Sequence, residues 1–394
     1  MSLPLEGIKV LELARTLAGP IAGQMLGDLG ADVIKVEQPG IGDESRRFKP
    51  PEWDGESVYY LSSNRNKKSL TLNLKSEQGK QIIYDLIKDT DVFIESFRTG
   101  VTEKLGIDYE TLKEINPRLI YLSVSGFGRT GPEKYRAGYD LLLQGYSGLM
   151  STTGEPGIPY KAGPSIADMT AGFLGALGVL AAVIARGQTG KGQFVDCSLL
   201  DGQIMALNHL ATAFYATGTS PKPMGQAHNS LAPYQVFQAK DKHFILAAGN
   251  DKLWVKTCEA MGWDDLLEVE EYETNQSRVA HRDTLIPIIS ARLSELTTDE
   301  ISQKLDAAGV PCGPINSVGD VLTSPQALAR GMMTDIDHPT VKDLKTPAFP
   351  VKLSETPATV RLHPPLLGEH TDEILASLGF KKEELDQMRQ GGVV

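Results

Sequence analysis

Four short runs rich in Val, Ile and Leu punctuate the first 130 residues: GIKVLELA (7–14), ADVIKVEQ (31–38), DVFIESF (91–97) and RLIYLSV (118–124). Apolar runs of this length predict strands buried on both faces, as in a parallel sheet. Helical patterns lie between them. Pro20 and Gly30 bracket PIAGQMLGDLG, and Ser76 precedes EQGKQIIYDLIKD, which places Ile82, Ile83, Leu86 and Ile87 on one face. Alternation of strand and helix predicts an α/β fold. Farther on, residues 169–185 carry no charge at all, with Gly172, Gly175 and Gly178 at three-residue spacing. The run is marginally short for a membrane span and lacks aromatic anchors, so a helix packed closely on other backbone is expected instead.

The texture changes at GTSPKPMGQAHNSLAPY (218–234), rich in Gly, Pro, Ser and Asn, which marks a crossing between domains. Beyond it, QVFQAKDKHFILAAG predicts two short strands around a turn. Thr297 and Glu300 form a capping box for a helix that Gly309 closes. A small α+β domain over 225–330 follows, after a linker at 218–224, with residues 1–217 and 331–394 left to a large domain. The proline-rich stretch from His338 predicts an extended return, and the last residues an amphipathic helix.

Composition narrows the partners. With 394 residues, 41% hydrophobic and 23% charged, the chain suits two domains of a folded protein. A net charge of −11 argues against nucleic acid and anionic membrane as partners. Cys197, Cys258 and Cys312 are far apart and odd in number, which supports neither a metal site nor a disulfide framework and fits a reducing cytoplasm. The start MSLPLEGIKVLELA has no basic region ahead of an apolar one, so neither a signal nor a transit peptide is expected.

Several motifs fail their context. GFGRTG (126–131) follows a strand but is succeeded by Pro132 and the polar EKYRAGYD, so a turn is expected rather than a dinucleotide fingerprint. GQTGKGQ has the wrong spacing for a Walker loop, and no G-x-S-x-G elbow occurs. The stretch SSNRNKKSLTLNLK (62–75) gathers Arg65, Lys67, Lys68 and Lys75, as a solvated loop before a short strand or as an anion site. Asp168 stands directly ahead of the uncharged run. There it suits a helix cap, and the helix N-terminus should favour its charged form, which nucleophilic attack on an acyl group requires.

Together, GIKVLELARTLAGPIAGQMLGDLGADVIKVEQPGIGDESR, NRNKKSLTLNLKSEQGK, DVFIESFRTGVTEKLGI, LIYLSVSGFGRTGP, the Asp168 segment and GVPCGPINSVGDVLTSPQALARGM resemble the class III CoA transferases over almost the whole chain. AHNSLAPYQVFQAKD, AAGNDKLW, DHPTV and PPLLGEHT are most similar to the succinyl-CoA:glutarate branch. The resemblance implies a Rossmann-like large domain made from both chain ends, an inserted small domain, and two subunits threaded together as an interlocked-ring homodimer. It implies Asp168 as nucleophile, acyl-CoA and a carboxylic acid as substrates, and no metal. For CoA it implies Leu72 and Lys75 near the adenine, Phe97, Lys104 and Leu105 after the third strand, and Arg136 and Tyr139 before the Asp168 helix. Gln38 and Ser96 stand where the family usually has Arg or Asn. Gly249 and Asn250 are expected to offer main-chain N–H groups to developing oxyanions, and Arg65 to bind the second carboxylate of a diacid. The family's racemases carry His in a GHD triplet, where this chain has Tyr139 in GYD; a phenol is a poor base near neutral pH. An acyl-CoA racemase or isomerase and a non-catalytic CoA-binding protein are the alternatives.

Overall fold

The computed structural model describes residues 2–394, which form two compact units, one of residues 2–149, Ala162–Thr217 and Pro325–Val394, the other of Met150–Lys161 and Gly218–Ser324. The first is built on six parallel strands, β1 Lys9–Glu12, β2 Asp32–Glu37, β3 Lys67–Thr71, β4 Val92–Glu95, β5 Ile120–Ser125 and β6 Phe194–Ser198. They lie in the order β6-β5-β4-β1-β2-β3. Period-2 alternation sends Val10, Val92, Ile120 and Leu122 into one core and Leu11, Phe93 and Tyr121 into another. Both faces are therefore apolar, which explains the near-continuous runs read from the sequence.

On the first face lie helices α1, Ala18–Asp28, and α4, Ile166–Thr189. On the second lies α2, Glu77–Ile87, with Ile82, Ile83 and Ile87 buried and the Ser76 hydroxyl accepting the Gly79 N–H. The helix α4 is long and apolar enough to cross a membrane by length and composition, but its small-residue face is packed: a Cβ on Gly172 would lie 2.8 Å from the Ala18 carbonyl oxygen and 2.7 Å from Ile21. Glycine spacing thus sets how closely α4 meets α1. A two-stranded antiparallel sheet, Met333–Ile336 with Leu344–Pro347, belongs to the same unit.

Within the basic stretch 62–75, Arg65 and Lys67 are buried in ion pairs rather than solvated. Lys67 opens β3 fully buried, its Nζ 2.9 Å from Glu12, which also meets Lys35 at 2.9 Å; Lys35 reaches Asp43 at the same distance. Burial alone drives such lysines neutral, but three carboxylates hold Lys35 well above its ordinary pKa. The site has no spare room: a Cβ on Gly23 would fall 1.8 Å from the Glu12 carboxylate. Lys68 is paired with Glu373.

The second unit has an antiparallel sheet of Tyr234–Gln238, His243–Ala247 and Cys312–Pro314. Phe237, Phe244 and Trp254 share its core with Leu285, Ile289 and Ile301. The helix Thr298–Ala307 carries the capping box of Thr297 and Glu300, and Gly309 closes it with φ +68°.

Candidate active site

Strand order reverses between β1 and β4, since β2 and β3 extend the sheet one way and β4, β5 and β6 the other. Ligands of open parallel sheets bind beyond the carboxyl ends of the strands at such a reversal. A cleft of about 310 Å³ lies there, lined by Arg15 and Thr16 after β1, Ser96, Phe97 and Arg98 after β4, Gly126 and Phe127 after β5, and by Arg136, Tyr139 and Asp168. The loop GFGRTG is a turn on its rim: Gly128 and Gly131 have φ of +88° and +78°, and Gly126 meets Gly138 so closely that a Cβ would lie 2.8 Å from its Cα.

Asp168 is the third residue of α4, and it does not cap that helix. The cap comes from Asp140, at the start of α3 (Asp140–Tyr146). Its Oδ1 accepts the N–H of Ala167 at 2.8 Å and of Asp168 at 3.3 Å, and Gln144 donates to its other oxygen at 2.7 Å. Among the described residues nothing donates a hydrogen bond to the Asp168 carboxylate or forms an ion pair with it. Burial, with the Asp140 charge added, pushes its pKa up to about 7. The expectation that the helix N-terminus favours the charged form is therefore overturned, because Asp140 has taken the free amides and adds a like charge beside the site.

Apart from Asp168 and Glu44, the charged residues lining the cleft are cations: Arg15, Arg98, Arg129, Lys134 and Arg136. The Arg136 guanidinium lies over Phe127 and Tyr146 at 5.2 and 4.9 Å from their ring centroids, and meets Glu133 at 3.4 Å. Arg129 is held to buried Glu95 at 2.7 Å, and its N–H donates to Asp196. Arg15 and Arg98 are exposed and, among the described residues, meet no carboxylate.

Of the residues singled out from the sequence, Phe97, Arg136, Tyr139 and Asp168 share this cleft, whereas Leu72, Lys75, Lys104 and Leu105 do not line it. Leu72 is buried in the second core and Leu105 packs against it, while Lys75 and Lys104 are exposed. Gly249 and Asn250 belong to the second unit, where Asn250 caps the helix Asp251–Met261 by accepting the Leu253 N–H at 2.9 Å. Arg65 requires correction. It is buried, with both sides of its guanidinium on Asp28 at 2.9 and 2.6 Å and further bonds to Thr346 Oγ1 and the Pro347 carbonyl. Four of its five N–H groups are engaged and the side chain is only 3% exposed, so the guanidinium is not presented to a substrate carboxylate. Sequence patterns did not single out Arg15, Thr16 and Arg98, although their position one or two residues beyond predicted parallel strands was the available signal.

Comparison with known proteins agrees with this geometry. Residues 5–371 match CoA-transferase family III. The chain belongs to the class III CoA-transferases. It is 41% identical to the human succinyl-CoA:glutarate CoA-transferase over 99% of this chain and 90% of the relative. It is equally similar to the succinate–glutarate CoA-transferase of Agrobacterium fabrum, over 95% and 96%. The crystal structure of a CAIB/BAIF family protein from Brucella suis superposes with a TM-score of 0.86 at 42% identity, covering 96% of this chain and all of that one. Rv3272 from Mycobacterium tuberculosis gives 0.84 at 29% identity over 94% and 99%. For this CoA-transferase, CoA is a substrate.

Proposed function

We propose that this transferase moves CoA from succinyl-CoA to a dicarboxylic acid such as glutarate, with the Asp168 carboxylate as the covalent relay. The observation that carries the reading is an acidic side chain without hydrogen-bond partners among the described residues, set in a cationic cleft. Asp168 attacks the thioester carbonyl; its oxygen–carbon bond forms as the carbon–sulfur bond breaks, leaving a mixed anhydride and CoA thiolate. The thiolate attacks the aspartyl carbonyl, giving an Asp168–CoA thioester and free succinate. The acceptor carboxylate then runs the two steps in reverse. Each step exchanges one activated acyl link for another, so the energy of the thioester is conserved. Burial favours this route, since converting an ionised, poorly solvated carboxylate into a neutral anhydride or thioester relieves the buried charge.

Phe97, Arg136 and Tyr139 are the proposed CoA contacts in the cleft, with Lys75 proposed near the adenine and Lys104 after β4 as outlying contacts. The donor and acceptor follow the relatives, which are named for succinyl-CoA and glutarate. An interlocked homodimer is part of the proposal. It is supported by Phe173, Leu177 and Ile184, spaced four and seven residues apart on α4 and 46%, 61% and 66% exposed, an apolar stripe of the kind that subunit interfaces cover. Incubating the purified chain with succinyl-CoA and glutarate, and separating the thioesters, tests the reading. Glutaryl-CoA is expected from the native chain and none from Asp168→Ala; glutaryl-CoA from the variant would remove Asp168 from the mechanism.

A further inference from the structure

With Arg65 committed to Asp28, the diacid reading lacks a cation for the second carboxylate, and the structure offers one from an unexpected quarter. The loop between β1 and α1 is pinned at successive residues. The Arg15 N–H donates to Ser96 Oγ at 3.0 Å. The Thr16 N–H donates to both Asp43 oxygens at 3.1 and 3.2 Å, and its hydroxyl to Glu44 at 2.7 Å. Thr16 adopts φ +71°, an unusual conformation for a β-branched residue that persists only where surrounding contacts impose it. Asp43 is anchored in turn by buried Lys35.

The pinned loop lies alongside the nucleophile. A Cβ on Gly172 would lie 2.8 Å from the Ala18 carbonyl, and Asp168 is one helical turn before Gly172 on the same face of α4, so the residues just ahead of Ala18 border Asp168 in the cleft that both line. Arg15 is three positions before Ala18. Its guanidinium, 5.5 Å from the Phe97 ring centroid, meets no carboxylate among the described residues. Arg129 and Arg136 in the same cleft already hold Glu95 and Glu133; Arg98 and Lys134 also line it, but Arg15 is the one on the loop that packs on α4 beside Asp168. We propose that Arg15 is the specificity residue that binds the carboxylate not being activated, in a dicarboxylic acid or its monothioester. This rests on the transferase reading above and adds to it the residue that selects diacids. A planar guanidinium held on a rigid loop suits a carboxylate at a fixed distance from the reacting one.

A competition assay tests it. Glutarate and valerate have five carbons each and differ by one carboxylate; mixed in one tube with succinyl-CoA, they yield glutaryl-CoA and valeryl-CoA in the ratio of their kcat/KM values. Steps shared with the donor cancel, and so does any general loss of folded protein. The native chain is expected to favour glutarate strongly. Arg15→Gln should lower the ratio by about a hundredfold, the scale of a lost charge-assisted bond in a cleft, and Arg15→Lys should restore part of it. Both products should fall together through slower turnover of succinyl-CoA, itself a diacid monothioester, but an unchanged ratio in Arg15→Gln overturns the assignment of Arg15 while leaving the transferase reading intact. A native ratio near one instead overturns the diacid reading and Arg15 with it.

Discussion

Replacing Asp168 by Asn should stabilise the fold while it removes transfer. In the native chain the carboxyl moves from its ordinary 3.8 to about 7 because it is half-buried, lacks donors and has the Asp140 charge nearby. At about 1.4 kcal/mol per pH unit, holding the ionised form in the fold costs up to about 4 kcal/mol. The sign follows from proton linkage: between pH 3.8 and about 7 the native state binds the proton more tightly than the unfolded chain, so native stability falls as pH rises through that window. Below it both states are protonated and the cost vanishes; above it the whole cost applies. Asn has nearly the same shape and no charge, so its advantage should be absent near pH 4 and full at pH 8. For a chain of this length about 4 kcal/mol corresponds to a rise in Tm of about 5 °C. Thermal unfolding of the two proteins at equal concentration, from pH 4 to pH 8, measures it. A lower Tm for Asp168→Asn at pH 8 would refute the reasoning and reinstate Asp168 as a helix cap, since a cap loses stability when its charge is removed.

Four further outcomes follow from the same geometry. Asp140→Asn retains an oxygen for the Ala167 amide but removes the neighbouring charge, so the acid limb of Asp168 acylation, expected near pH 7 in the native chain, should move to lower pH; single-turnover rates across pH report it. Arg65→Met leaves Asp28 buried and unpaired, and breaking such a pair costs about 3–5 kcal/mol; denaturant unfolding should show that loss, with glutarate selectivity preserved in whatever protein folds. Gly172→Ala brings a methyl against the Ala18 carbonyl and should cost about 1–3 kcal/mol, despite alanine's better helix propensity. Leu177→Glu places a charge in the exposed stripe of α4 and should abolish the homodimer, as sedimentation velocity would show; unchanged dimer would place the interface elsewhere.

Much of the sheet was legible because its strands are buried on both faces and so read as short Val/Ile runs. The edge strand Lys67–Thr71 was obscured for the opposite reason: it opens with two lysines. Their partners, Glu12 and Glu373, are 55 and 305 residues away, and no local pattern announces an ion pair of that separation. Arg65 misled in the same way, its place decided by Asp28 on another element. Asp168 was found by its position ahead of an uncharged helix and by family resemblance, but its electrostatics depend on Asp140, 28 residues upstream in sequence, which takes the cap that the sequence would give to Asp168. Arg15 was visible only as one charge in a loop until strand order showed which loops meet.

The central claim is that Asp168 carries CoA covalently, and intact-protein mass after mixing with succinyl-CoA tests it most directly. The native chain should gain the mass of CoA less one water, an adduct released by hydroxylamine and mapped to the peptide containing Asp168, and Asp168→Asn should gain nothing. Turnover of succinyl-CoA and glutarate without any such adduct in the native chain, or with the adduct on another residue, would contradict the account.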